Sequence, residues 1–209
     1  MKKIIVFDLD GVLFDSIDSI EKNMHDMYPD FTKEIFQELA CGNFHEEIKK
    51  FPIQKKQETE EETAKRELSY SKTKSKVPMY TGSKELLEEL HQNGHILVLN
   101  TSTFNYNCLP LLERSNIISL FDFLATADVS KSKVDKFKMI EKKYNLSNKD
   151  FLFVTDTLGD IREADIANIP TVAVTWGQHD RSYFTREEHK NLIGIVDSFE
   201  QLKDFIFNH

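Results

Sequence analysis

The chain has 209 residues, 40% of them apolar and 11% aromatic, enough for one domain-sized core with a small insert, which excludes a disordered chain or a multi-domain assembly. With 27 Lys and Arg against 35 Asp and Glu, the formal net charge of −8 repels polyphosphate backbones and anionic lipid surfaces, so neither nucleic acid nor a membrane is expected as a partner. No apolar run approaches the ~20 residues of a bilayer span, the first run meets Asp8 too early for a signal peptide, and Cys41 and Cys108 lack a CxxC setting; a cytoplasmic protein with reduced thiols is expected.

The first element is the apolar run Ile4–Phe7, closed by Asp8-Leu9-Asp10-Gly11. From about Ser16 to Met79 there is no strand-like run. Helical patterns occur instead at Ile17–Tyr28, Phe31–Ala40 and Phe44–Phe51, and the polar stretch Gln54–Lys76 reads as a solvated helix and connector rather than a binding patch. From residue 80 helix and strand alternate. Helices are predicted at Ser83–Gln92, Cys108–Asn116, Val134–Tyr144, Ile161–Asn168 and Ser198–Phe207, the last opening on a Ser198 to Gln201 capping-box spacing. Between them lie the apolar runs Ile96–Leu99, Phe121–Leu124, Phe151–Val154, Thr171–Val174 and Ile193–Val196. Uninterrupted four-residue runs suit strands covered on both faces. The expectation is an α/β, doubly wound (Rossmann-like), mostly parallel sheet formed by residues 1–15 and 80–209, with a small all-helical domain inserted over 16–79.

Three of the runs end in polar clusters: Asp8 and Asp10 after the first, Asn100-Thr101-Ser102 after the second, and Thr155-Asp156, with Asp160 a turn later, after the fourth. In an open parallel sheet these ends share one edge, where ligands bind at the topological switch point. Any one of them alone could be a helix cap or turn. Asp8, Asp10, Asp156 and Asp160 together need a cation or a shared proton. An all-oxygen set without His or Cys suits Mg²⁺, which also takes water and phosphate oxygens. That points to phosphoryl chemistry, in which one carboxylate attacks phosphorus and another moves the proton. Thr101 and Ser102 could hold phosphoryl oxygens, and Lys131 or Lys133 could offset the developing charge.

The segment Val6-Phe7-Asp8-Leu9-Asp10-Gly11-Val12-Leu13-Phe14-Asp15-Ser16 resembles the first motif of the haloacid dehalogenase-like hydrolase superfamily. Leu97-Val98-Leu99-Asn100-Thr101 resembles the second, Lys131-Ser132-Lys133-Val134-Asp135 the third and Phe153–Ile161 the fourth, while Ile169–Gly177 is similar to the phosphoglycolate-phosphatase-like branch. The resemblance implies Asp8 as nucleophile and metal ligand, and Asp10 as general acid and base that also offers its carbonyl to Mg²⁺. It further implies that Thr101 binds the phosphoryl group, that Asp156 completes the metal site, and that Asp160 binds the metal or its water. Main-chain amides after Asp8, including Gly11, and the Ser102 amide would cradle phosphoryl oxygens. The insert would be a helical cap that selects a small phosphorylated metabolite.

Two positions depart from that pattern. Thr155 stands where a glycine is usual, with a bulk expected to crowd the loop without removing a ligand, and the Lys-Pro of this branch is absent. The spacing leaves Lys131 and Lys133 both open, with Lys133 favoured by its position directly before the Val134 helix. The seven histidines form no HxH or HxxxH pair and are expected at the surface or hydrogen-bonded. Trp176 is expected to pack and Arg181 to be solvated, and among Asn23, His25, Lys49 and Lys50 nothing selects a substrate contact. The first reading is a Mg²⁺-dependent phosphatase. A phosphomutase and a non-catalytic, receiver-like phospho-binding protein are the alternatives, and a receiver would lack both the long insert and an Asp10.

Overall fold

The computed structural model describes residues 3–145 and 150–208. Six strands form one parallel sheet: β1 Ile4–Phe7, β2 Ile96–Asn100, β3 Phe123–Ala125, β4 Phe151–Thr155, β5 Thr171–Val174 and β6 Leu192–Val196, in spatial order β3-β2-β1-β4-β5-β6. Phe7 pairs with Leu99 on one side and Val154 on the other, so the tips of β1, β2 and β4 lie side by side at the carboxyl edge. The order reverses at β1, between β2 and β4, and the crevice at that switch point is where Asp8 emerges. All four β1 residues are fully buried, as a strand with helices on both faces requires.

Ten helices are described, and α1 Ile17–Met27, α2 Lys33–Leu39, α3 Phe44–Lys50 and α4 Glu60–Lys74 all fall in the interval between β1 and β2. They are followed by α5 Ser83–Gln92, α6 Asn105–Arg114, α7 Lys133–Tyr144, α8 Leu158–Ala167, α9 Arg181–Phe184 and α10 Phe199–Asn208. The insert has its own apolar cluster around Met24, Phe31, Phe36 and Leu39, separate from the two clusters on either face of the sheet. Among the described residues no helix is long and apolar enough to cross a membrane.

The predicted strands and long helices recur within a few residues. The structure differs at three points. The short helix α9 has no counterpart in the sequence pattern, α6 starts at Asn105 rather than Cys108, and α8 starts at Leu158 because the Thr157 hydroxyl caps it, accepting from the Asp160 amide. Such caps contribute about 1 kcal/mol, and this one also fixes where Asp160 leaves the backbone.

Candidate active site

A cavity of about 350 Å³ lies between the sheet edge and the insert, and Asp8, Asp10, Thr101, Ser102, Asp156 and Asp160 all line it. Asp8 is almost fully buried. Its Oδ1 accepts from the Leu9 amide at 2.8 Å, and its Oδ2 lies 3.0 Å from Lys133 Nζ. Burial pushes the Asp8 carboxyl up to about 7; Lys133 works against that rise, and Asp160 and Asp10 add to it.

The two candidate lysines separate cleanly. Lys133 is the first residue of α7, set by the Ser132 cap, and it shares a buried stripe with Lys136, Phe137 and Ile140 that turns its ammonium inward. There it donates to Asp160 Oδ2 at 2.7 Å, and burial's pull on its pKa is outweighed by Asp160 and Asp8, which raise it. Lys131 is exposed, and its main-chain carbonyl accepts from Asn43 Nδ2 at 2.9 Å. It stands outside the site.

Asp160 therefore faces Lys133 rather than open space, and it also accepts from the Thr155 hydroxyl at 2.6 Å. Thr155 does not crowd the loop as its size suggests. It supplies a donor that a glycine could not. Asp156 is fully buried. Its Oδ2 accepts from the Gln178 amide at 2.7 Å, its Oδ1 has no hydrogen-bond partner, and burial followed by the charge of Asp8 raises its pKa well above the usual carboxylate range. Gly11, at φ +73°, passes so close that a Cβ there would meet Asp156 Oδ2 at 1.9 Å. Its amide donates to the Phe14 carbonyl and it does not line the cavity, so Gly11 shapes the Asp156 pocket instead of binding substrate.

Asp8 and Asp156 offer only oxygen donors to the cavity, and the bare Asp156 Oδ1 is the kind of atom a hard cation satisfies. Among the described residues no three His, Cys, Asp or Glu side chains converge to hold a metal. Two carboxylates suit an ion that keeps several waters.

Asp10 brings a residue that sequence reasoning missed. Its Oδ1 accepts from Ser16 Oγ at 2.5 Å and from Lys74 Nζ, and its Oδ2 accepts from Thr103 Oγ1 at 2.6 Å. Burial alone would raise this carboxyl, but Lys74 and the two hydroxyls hold it below its ordinary range. Lys74 is the last residue of α4 and is fully buried, so the polar stretch 54–76 is no mere solvated helix and connector: its end reaches into the site. Thr101 is buried, and its carbonyl accepts from Lys136 Nζ at 2.7 Å; burial and the neighbouring Lys133 lower Lys136 to about 7. Of the insert residues left open by the sequence, Asn23 lines the cavity, whereas His25, Lys49 and Lys50 do not. His45 also lines it, and its Nε2 donates to the Ser102 carbonyl at 3.3 Å. Trp176 packs on Phe199 and donates to the Val12 carbonyl, while half-exposed Arg181 pairs with Asp197. His209 lies outside the described residues.

The sequence model of the haloacid dehalogenase-like hydrolases matches residues 5–174, taking in every side chain of this site. The chain belongs to that family. It is 26% identical over 193 residues to a phosphoglycolate phosphatase of Aliivibrio fischeri, covering 84% of this chain and 85% of the relative. It is 27% identical over 216 residues to the pyrophosphatase PpaX of Oceanobacillus iheyensis, covering 93% and 97%. The crystal structure of a predicted phosphatase from Clostridium acetobutylicum superposes with a TM-score of 0.76 at 23% identity, covering both chains completely, and so shares the fold. This hydrolase is thus an enzyme of the phosphatase kind, within the phosphoglycolate-phosphatase-like branch of the family, and the receiver-like alternative is set aside.

Proposed function

We propose that this hydrolase is a Mg²⁺-dependent phosphatase that cleaves a small phosphorylated metabolite through an aspartyl-phosphate on Asp8, in the cytoplasm. Residues 1–15 and 80–209 would be the catalytic core and 16–79 the cap. The single observation that supports this most is the Asp8 carboxylate at the foot of the cavity, with Lys133 Nζ at 3.0 Å and a second carboxylate, Asp10, two residues on. Asp8 attacks phosphorus, the P–O ester bond breaks, and Asp10 takes up the proton that the substrate monoanion brings and passes it to the leaving oxygen. Water then attacks the phosphoaspartate, Asp10 takes up the proton, and the P–O bond to Asp8 breaks. The ionised Asp10, held by Ser16, Lys74 and Thr103, is in the state that this second step needs.

Asp8, Asp156 and the Asp10 carbonyl would hold Mg²⁺. Bound there, it would neutralise charge on the phosphoryl oxygens. Lys133 offsets the charge that builds up on Asp8 and the phosphoryl group, and Asp160, held by Lys133 and Thr155, keeps the ammonium in position. The Thr101 hydroxyl and the Ser102 amide would orient the phosphoryl oxygens. The names of the two curated relatives suggest phosphoglycolate and pyrophosphate as substrates to try.

The test is Asp8→Asn, assayed for phosphate release from acetyl phosphate with Mg²⁺. Turnover should fall on the order of 10⁴-fold or more, because the nucleophile is gone and not merely weakened. A variant with wild-type turnover would overturn the mechanism.

A further inference from the structure

The cavity has two unlike ends. At the sheet edge it is all carboxylate, hydroxyl and amide. Toward the insert its wall is mostly apolar, with Ile20 and Met24 of α1, Phe44 and Ile48 of α3 and Tyr70 of α4 broken by Asn23 and Asn43, and Tyr106 of the core also lines it. Tyr106 is exposed and stacks on Phe104, with ring centroids 5.9 Å apart. Among the described residues no lysine or arginine lines this cavity.

The basic groups nearest to it are committed, while exposed Lys131, Lys56 and Lys65 stand outside its wall. Lys74 is on Asp10, Lys133 is on Asp8 and Asp160, and Lys136 is on the Thr101 carbonyl. Arg66 of α4 is on Glu58, and Lys49 and Lys50 of α3 pair with Glu46 and Glu47 out in solvent. The one basic side chain in the wall, His45, is pulled down by burial and is neutral at pH 7 with its Nε2 proton on the Ser102 carbonyl. A carboxylate or second phosphate on the leaving group would lose its hydration against Ile20, Met24 and Ile48, find no lysine or arginine in the wall, and face Glu163 there. A buried charge without a partner is strongly disfavoured. An apolar or aromatic group instead gains free energy in proportion to the area it removes from water.

We infer that the substrate is a phosphomonoester whose leaving group is uncharged and apolar, with an aromatic or branched alkyl face seated on the α1–α3 wall. This rests on the phosphatase reading above and narrows it away from the anionic leaving groups of phosphoglycolate and pyrophosphate.

The experiment compares kcat/KM, with Mg²⁺, for benzyl phosphate, 3-carboxybenzyl phosphate, phosphoglycolate and pyrophosphate, with acetyl phosphate as a probe too small to need the wall. The added carboxylate hardly alters the leaving oxygen, so it isolates charge in the pocket. Benzyl phosphate should exceed the three anionic substrates by about tenfold or more. Ile20→Lys should raise the ratio of 3-carboxybenzyl to benzyl phosphate turnover by about tenfold, and Ile48→Lys gives the same ratio test from a different helix should the first variant fold poorly. If acetyl phosphate is hydrolysed in an Asp8-dependent way while an anionic substrate equals or beats benzyl phosphate, the apolar-pocket inference fails and the phosphatase reading stands. If no phosphate is released from any of the five, both fail.

Discussion

The floor and the ceiling of the cavity are built on opposite principles. The floor comes from three strand tips and two helix starts, and most of its polar groups are satisfied by one another, Lys133 with Asp8 and Asp160, Thr155 with Asp160, and Ser16 and Thr103 with Asp10, while Asp156 Oδ1 is left bare. The ceiling comes from short helices whose apolar cluster opens onto the cavity, with Ile20, Phe44 and Ile48 only partly buried. Strand tips locked in a six-stranded ladder hold charges to the sub-ångström tolerance that phosphoryl transfer demands. Packed apolar faces are less exacting and select by size and charge. Under the function proposed above, one site separates the chemistry from the choice of substrate.

The floor is broken most severely at Lys133. Lys133→Met keeps most of the side-chain volume but leaves Asp8 and Asp160 buried without their cation. Removing one partner of a buried ion pair costs about 3–5 kcal/mol. Urea unfolding should show a loss of that size, together with a fall in phosphate release on the order of 10³-fold. An unfolding midpoint equal to that of the wild type would mean that the floor is not an ionic unit.

The joint between floor and ceiling gives a smaller effect. The Gly159 amide of α8 donates to the Ala40 carbonyl of the insert at 2.9 Å, and a Cβ at residue 159 would come within 2.3 Å of the Gly42 carbonyl oxygen. Inside a helix, Gly to Ala ordinarily stabilises by up to about 1 kcal/mol. Here the insert must be pushed off the core, so Gly159→Ala should destabilise by about 1–3 kcal/mol and raise KM more than it lowers kcat. A stabilised variant with unchanged KM would show that the insert is not held at this point.

The floor is largely legible in the amino-acid pattern, because its residues sit directly after apolar runs, and a run buried on both faces announces where the strand stops. Even the choice between Lys131 and Lys133 has a readable basis in the stripe Lys133, Lys136, Phe137 and Ile140, which puts Lys133 on the buried face of its helix. The ceiling is hardly legible. Helix α4 is polar all round and its one buried residue is its last, so no periodicity separates Lys74 from Lys72 or Lys76. Its role depends on how the insert folds back over Asp10, a long-range contact spanning 64 residues that local pattern cannot carry. Thr155 misleads in the opposite sense. A bulkier residue than the expected glycine suggests crowding, and only the position of Asp160 reveals the hydroxyl as a donor.

The smallest effect is a pH dependence at the second joint. His179, fully buried after β5, accepts from the Leu158 amide at Nδ1 (3.0 Å) and donates from Nε2 to the Gln37 carbonyl of the insert at 2.8 Å, stacked on Tyr183 with ring centroids 4.1 Å apart. This pattern requires the neutral ring, and burial accordingly lowers the His179 pKa below its ordinary 6.5. The unfolded chain binds the proton more readily than the folded one. The stability from this residue is therefore fully present above about pH 6.5 and is lost as the pH falls from there toward the depressed folded value. One proton sets the limit, a slope of at most about 1.4 kcal/mol per pH unit. Unfolding free energies between pH 7.5 and 5 should show this decline in the wild type and a shallower one in His179→Gln, whose amide cannot take up the proton. Equal slopes in the two proteins would show that protonation of His179 does not carry the decline.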